Sequence, residues 1–136
     1  TWRDVEIDSL AATVTRPPGL RLDAGGLGKG MAADMAAERL FHLDRFAVEC
    51  LGELRFGGVS VGPRPVRVAS PDSSLGPIAS LSLPEGAVAT SGITKRSWLN
   101  QAGEASHHLI DPRTGEPVYS GVIQATALAP TAAKKR

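Results

Sequence analysis

The sequence predicts an α+β fold with a mostly antiparallel or mixed sheet and one long helix. Three observations predict it. Short alternations of apolar and polar residues recur along the chain, separated by glycine- and proline-rich turns. One segment, residues 29–43, switches to apolar residues at three- and four-residue steps. No internal repeat or low-complexity segment interrupts the pattern.

Trp2 to Ile7 alternates Trp2, Val5 and Ile7 with Arg3, Asp4 and Glu6, which reads as a short strand. Ala11 to Val14 reads as a second, followed by a turn at Arg16-Pro-Pro-Gly19. Leu20-Arg-Leu-Asp23 reads as a brief strand running into glycines. From Lys29 to Leu43, Met31, Ala32, Met35, Ala36 and Leu40 recur at helical spacing among good helix formers. Arg45 to Leu51 reads as a strand, and Phe56-Gly-Gly58 and Val61-Gly-Pro63 as turns. Pro65 to Ala69 and Ile78 to Leu83 read as strands on either side of the polar turn Pro71-Asp-Ser-Ser74. Pro84-Glu-Gly86 is a turn before the strand Ala87-Val-Ala-Thr90. Ser106 to Ile110 and Gly121 to Leu128 complete a β-rich second half.

The 136 residues suffice for one domain with a hydrophobic core. The formal charge of +1 offers no dense basic stripe for phosphate neutralisation, so no nucleic-acid partner is expected. Lys134-Lys-Arg136 reads as a solvated tail. The single cysteine, Cys50, cannot form an internal disulfide, so reduced cytoplasm is allowed and no oxidising compartment is implied. It reads as a small buried residue in a strand, with Glu49 beside it opposing a thiolate. Neither a bilayer-spanning stretch nor a signal-peptide pattern is visible, so membrane attachment is not visible in this chain. The first residue is Thr1, and the chain is expected to begin inside a longer protein.

Three segments can carry chemistry. In Gly25-Gly-Leu-Gly-Lys-Gly30, glycines open a helix whose first N–H groups and dipole favour an anion. Lys29 is poorly placed for the helix dipole and well placed for a phosphate or pyrophosphate. The spacing fits neither a Walker P-loop nor the Rossmann fingerprint, since Gly30 and Met31 stand where those motifs need other residues. A tight β–α turn with an exposed lysine explains the local pattern equally well. In His107-His-Leu-Ile-Asp-Pro-Arg-Thr-Gly115, adjacent strand residues face opposite sides, so one histidine can enter a site while its neighbour does not. A base, an orienting Asp and an Arg can then converge. Two incidental histidines before an Asp-Pro turn are the commoner case. In Ala89-Thr-Ser-Gly92, hydroxyls and backbone can line a ligand, although an ordinary Ser-Gly turn is again commoner. No His and Cys metal cluster appears.

The three segments together resemble the ApbE-type FAD:protein FMN transferases. Asp23-Ala-Gly-Gly-Leu-Gly-Lys-Gly-Met-Ala-Ala-Asp34 resembles the family's Asp-Leu-Gly-Gly-Ile-Ala-Lys-Gly-Tyr-Ala-x-Asp. Val88-Ala-Thr-Ser-Gly92 resembles its Ala-Thr-Ser-Gly segment, and His108-Leu-Ile-Asp-Pro-Arg-Thr-Gly-Glu-Pro117 its His-Ile-Ile-Asp-Pro-Arg-Thr-Gly-x-Pro. The matches run in order from about residue 22 to 131, where Ala127-Leu-Ala-Pro-Thr131 is similar to the family's following strand and turn.

The resemblance implies part of a T-fold-like domain, residues 1–136, shortened at both ends. It implies FAD as donor substrate, Mg²⁺ as assisting metal, and an acceptor protein whose Thr or Ser hydroxyl takes FMN while AMP leaves. It implies His108 as the acid–base or phosphate-polarising residue. It also implies Gly28, Lys29, Gly30, Thr90, Ser91, Gly92, Asp111 and Thr114 around FAD, with Asp111 and Thr114 holding the His108 turn and the Gly28 carbonyl at the metal. A homodimer is allowed. The family's Asn-x-Gly-Gly-Asp after the helix is Glu49-Cys-Leu-Gly-Glu53 here, which puts a carboxylate near the phosphates and a leucine at a glycine position. The family's metal-binding helix, with an Asp and a downstream Thr, has no counterpart before Arg136. A non-catalytic FAD-binding relative and an interaction module are the alternatives.

Overall fold

A computed structural model of the chain describes residues 2–60 and 62–133. Val61, from the expected turn at 61–63, and the Lys134–Arg136 tail lie outside the described residues. The architecture is α+β, with one α-helix among the described residues and antiparallel strand pairs throughout. A 3₁₀ turn, Trp2–Asp4, precedes the exposed hairpin of β1 (Glu6–Asp8) and β2 (Thr13–Thr15). Helix α1 spans Gly28–Leu40. The central sheet has the order β10 (Gln124–Ala129), β7 (Gly86–Gly92), β4 (Glu53–Gly57), β3 (Phe46–Cys50). Two hairpins complete the fold: β5 (Arg64–Val68) with β6 (Ala79–Leu83), and β8 (Ser97–Leu99) with β9 (Ala105–His107). No helix among the described residues is long and apolar enough to cross a membrane.

The sheet is covered on both faces. Ala33 of α1, Ala87 and Ala132 form one cluster, with Val48 and Cys50 against it. Phe56 and Val88 pack with Val66 of β5 on the other face, and Leu54, Leu81 and Leu83 border them. Successive side chains of a strand alternate between faces, so Ala87 and Val88 serve opposite clusters.

The helix differs from its expectation in bounds and in face. It ends at Leu40 instead of Leu43, and its buried stripe is Gly30, Ala33 and Ala37. Met31 and Met35 are about half exposed. Periodicity pointed at the larger residues, but the helix sits so close to β3, β4 and the 132–133 segment that only small residues fit between. Leu20–Asp23 forms no strand; Asp23 Oδ1 instead accepts the Gly25 N–H at 2.6 Å, an Asx turn that leads into the helix. Two strands were not expected: β4, which ends in Phe56-Gly57 where the sequence reads as a turn, and β8, which contains Trp98. Gly86 likewise opens β7 instead of closing a turn.

Strands β3 and β4 are joined by Leu51-Gly52 alone, with φ of 51° and 96°. Positive φ at both positions is the pattern of a type I′ hairpin turn, which favours Asn-Gly. Leu51 therefore keeps a left-handed backbone despite its side chain. A left-handed residue with a Cβ costs about 1–2 kcal/mol. Leu51→Asn is accordingly expected to raise stability by about 1 kcal/mol, read as a higher midpoint in urea denaturation.

Candidate functional site

One cleft of about 550 Å³ gathers most of the chemically interesting residues. That size suits a small-molecule ligand. Glu49, Leu54, Val88 and Thr90 come from one face of the central sheet, as the pairings Glu49↔Leu54 and Leu54↔Val88 require. Lys29 reaches it from the first turn of α1, and Arg67 to Ala69 from the end of β5 and the residue after it. Thr94, Lys95 and Arg96 enter from the loop after β7, and His108 from the position just after β9.

The first turn of α1 has no side-chain cap and no acidic residue, and Lys29 stands within it. The Gly28 N–H is taken by the Ala24 carbonyl at 2.7 Å. Gly28 and Gly30 do not line the cleft. Gly30 has a different role: a Cβ there would sit 2.5 Å from the Ala132 carbonyl oxygen. Its missing side chain lets the turn after β10 cross the helix.

Thr90, Ser91 and Gly92 form the end of strand β7 and not a turn. Thr90 is held from both sides. Its N–H donates to the Gly52 carbonyl at 3.0 Å, and its hydroxyl pairs with that of Thr126 at 2.9 Å. The cross-strand register Thr90↔Thr126 makes this contact. The β3–β4 turn and β10 thereby position the cleft wall.

The two histidines part company, as alternation along a strand predicts. His107 is 2% exposed, and its ring meets Tyr119 edge to face at 4.8 Å. Its Nδ1 accepts the Leu109 N–H at 3.3 Å, while the Tyr119 hydroxyl donates to the Ala105 carbonyl. His108 faces the cleft, and its Nδ1 lies 3.4 Å from the Arg96 carbonyl oxygen. A carbonyl only accepts, so a hydrogen bond here requires the tautomer with its proton on Nδ1, in which Nε2 is the accepting nitrogen.

Asp111 and Thr114 do not line the cleft. They build the turn that follows His108. Asp111 Oδ1 accepts the Arg113 N–H at 2.9 Å, and the Asp111 carbonyl accepts the N–H of Thr114 and of Gly115. Thr114 Oγ1 accepts the Glu116 N–H at 3.2 Å. The Arg113 guanidinium, 2.7 Å from Asp111 Oδ2, holds that carboxyl below its ordinary value of 3.8, with the Arg113 peptide N–H adding to the effect.

Arg67, Lys95, Arg96 and Gln124 line the cleft without having been singled out in the sequence, and Glu49 lines it as the carboxylate expected there. Arg67 carried a legible signal, a charge at an exposed position of an alternating strand. Lys95-Arg96 follows Thr90-Ser-Gly92 closely enough that a basic pair beside a candidate ligand wall could have been marked. Four cationic side chains face one carboxylate, an environment that favours an anionic ligand. Among the described residues no group of three or more His, Cys, Asp or Glu side chains converges on a metal position.

Residues 1–134 match the ApbE family. The FAD:protein FMN transferase of Vibrio cholerae is 32% identical over 116 residues, covering 82% of this chain and 34% of that protein. The FAD:protein FMN transferase of Rhodobacter capsulatus is 38% identical over 118 residues, covering 82% of this chain and 21% of that protein. The crystal structure of the ApbE protein from Thermotoga maritima is similar with a TM-score of 0.84 and 30% identity, over 98% of this chain and 44% of that one. The chain spans about a third or less of the length of these two transferases.

Proposed function

The chain belongs to the ApbE family, and from that premise we propose that its cleft binds FAD and serves the transfer of FMN to a hydroxyl of an acceptor protein. The observation that carries this reading is the convergence of Lys29, Arg67, Lys95, Arg96 and His108 on one cleft bordered by Thr90, Ser91 and Gly92. FAD carries a diphosphate, whose negative charge suits the four cations. Glu49 reduces that field without cancelling it.

In the proposed reaction, the oxygen of an acceptor Thr or Ser forms a bond to the phosphorus on the flavin side of the diphosphate. The bond from that phosphorus to the bridging oxygen breaks, and AMP leaves with that oxygen. The hydroxyl proton passes to Nε2 of His108, held toward the cleft through Nδ1 and the Arg96 carbonyl. The cations stabilise the charge that develops on the phosphoryl oxygens. Asp111 and Thr114 act by shaping the turn behind His108, and Gly30 by admitting the turn after β10.

Mg²⁺ assistance, with the Gly28 carbonyl as a ligand, is the remaining implication of family membership. The described side chains do not by themselves build such a centre: Glu49 is the lone carboxylate in the cleft, and no acidic cluster converges elsewhere among them.

The test is titration of the protein with FAD by calorimetry, followed by incubation with FAD, Mg²⁺ and an acceptor protein. Micromolar binding, AMP release and a fluorescent protein adduct are the expected results. Binding without AMP or adduct would overturn transfer and leave a flavin-binding relative. Absence of binding would overturn the assignment of the cleft itself.

A further inference from the structure

Asp34 stands on α1, one turn after Gly30, and spends its carboxylate on a segment distant in sequence. Oδ1 accepts the N–H of Ala132 and Oδ2 that of Ala133, each at 2.9 Å. Two successive peptide N–H groups on the two oxygens of one carboxylate fix the orientation of the turn as well as its distance. The turn crosses the helix at Gly30, where no side chain obstructs it.

The same carboxylate pairs with Arg55, whose Nε lies 3.4 Å from Oδ1, with side-chain exposures of 8% for Arg55 and 20% for Asp34. The Arg55 Nη1 donates to the carbonyls of Phe56 at 2.6 Å and Gly86 at 3.0 Å. Its guanidinium also lies 5.2 Å from the centre of the Phe41 ring. Gly86 opens β7, the strand that ends in Thr90, Ser91 and Gly92 on the cleft. Helix α1 bears Lys29. One ion pair thus joins the helix, the central sheet and the turn after β10.

A pair this buried recovers little net stability, because desolvation offsets most of its Coulomb attraction, and apolar residues of similar volume often serve as well. What apolar residues cannot supply is direction: two N–H groups and two carbonyls are each met at hydrogen-bond distance. Asp34 does not line the cleft. We propose that Asp34 is a positioning residue for the cleft, fixing through Arg55 and the 132–133 turn the helix end that carries Lys29 against the strand end that carries Thr90 and Gly92. This rests on the reading that the cleft takes the diphosphate of FAD.

The experiment compares the protein with its Asp34→Asn variant by amide hydrogen exchange and by calorimetric titration with FAD, well below the unfolding midpoint of both. Asparagine keeps one acceptor, turns a donor toward the other N–H and gives up the ion pair. Exchange at Ala132 and Ala133 should accelerate while the amides of β3 and β4 keep their protection. The FAD dissociation constant should rise by about tenfold in protein that remains folded. Accelerated exchange with unchanged FAD affinity would make Asp34 a purely structural residue and overturn the proposal, as would no change in either. If the unsubstituted protein fails to bind FAD, the reading of the cleft falls and takes the proposal with it; the exchange data still report the clamp and tell this outcome from the others. Arg55→Lys keeps the charge but loses the fork on the Phe56 and Gly86 carbonyls. It carries the same test, with the same expected direction, should Asp34→Asn not fold.

Discussion

Replacing His108 by alanine is expected to slow FMN transfer by about 10²–10⁴-fold, the usual contribution of a positioned acid–base group, with FAD affinity changed only a few-fold. The expectation follows from geometry. His108 lines the cleft with its Nδ1 3.4 Å from the Arg96 carbonyl oxygen, and in the proposed reaction Nε2 is the proton-accepting atom. In the proposed complex the binding charge comes mainly from Lys29, Arg67, Lys95 and Arg96, which the substitution leaves in place. Single-turnover AMP release at saturating FAD measures the rate, and calorimetry measures the affinity. His107 supplies the control. Its buried ring packs on Tyr119, so His107→Phe keeps the edge-to-face contact and is expected to transfer FMN within several-fold of the unsubstituted protein. An unchanged rate in His108→Ala would send the hydroxyl proton elsewhere and remove His108 from the reaction.

Gly30→Ala is expected to lower stability by about 1–3 kcal/mol, seen as a fall of several degrees in the thermal midpoint. In most helix interiors this substitution has the opposite sign, a gain of about 1 kcal/mol from helix propensity. Here a Cβ would lie 2.5 Å from the Ala132 carbonyl oxygen, 2.7 Å from its carbon and 3.0 Å from the Ala133 nitrogen. All three are backbone atoms of a turn held by Asp34, so none can swing aside as a flexible side chain would. Either the helix withdraws from the sheet or the turn leaves the carboxylate. Gly26→Ala separates this clash from a general effect of losing glycine. Its Cβ would meet nothing within 4 Å, and its midpoint should stay near that of the unsubstituted protein.

Local periodicity carried much of the architecture. Helix α1 and most strands were legible because period-3.6 and period-2 patterns reflect which residues can share a buried face. The orders of Lys29, Thr90-Ser-Gly92 and His108 also pointed to a shared site, and all of them line one cleft. Where local reading failed, packing at a distance decided. Met31 and Met35 suggested the buried stripe, but the approach of the 132–133 turn reserved that face for Gly30, Ala33 and Ala37. Strand β8 was missed because its three residues are too few to show a period, and it exists only through pairing with β9.

The sequence by itself determined the α+β class, the ApbE family and several residues of the candidate cleft, since these follow from local spacing and from motifs that survive as strings of letters. Only the tertiary structure decided that Gly28, Gly30, Asp111 and Thr114 do not line the cleft and that Arg67, Lys95 and Arg96 join Lys29 there. Those outcomes depend on strand register and layer packing, which bring together residues dozens of positions apart and leave no trace in any one local pattern.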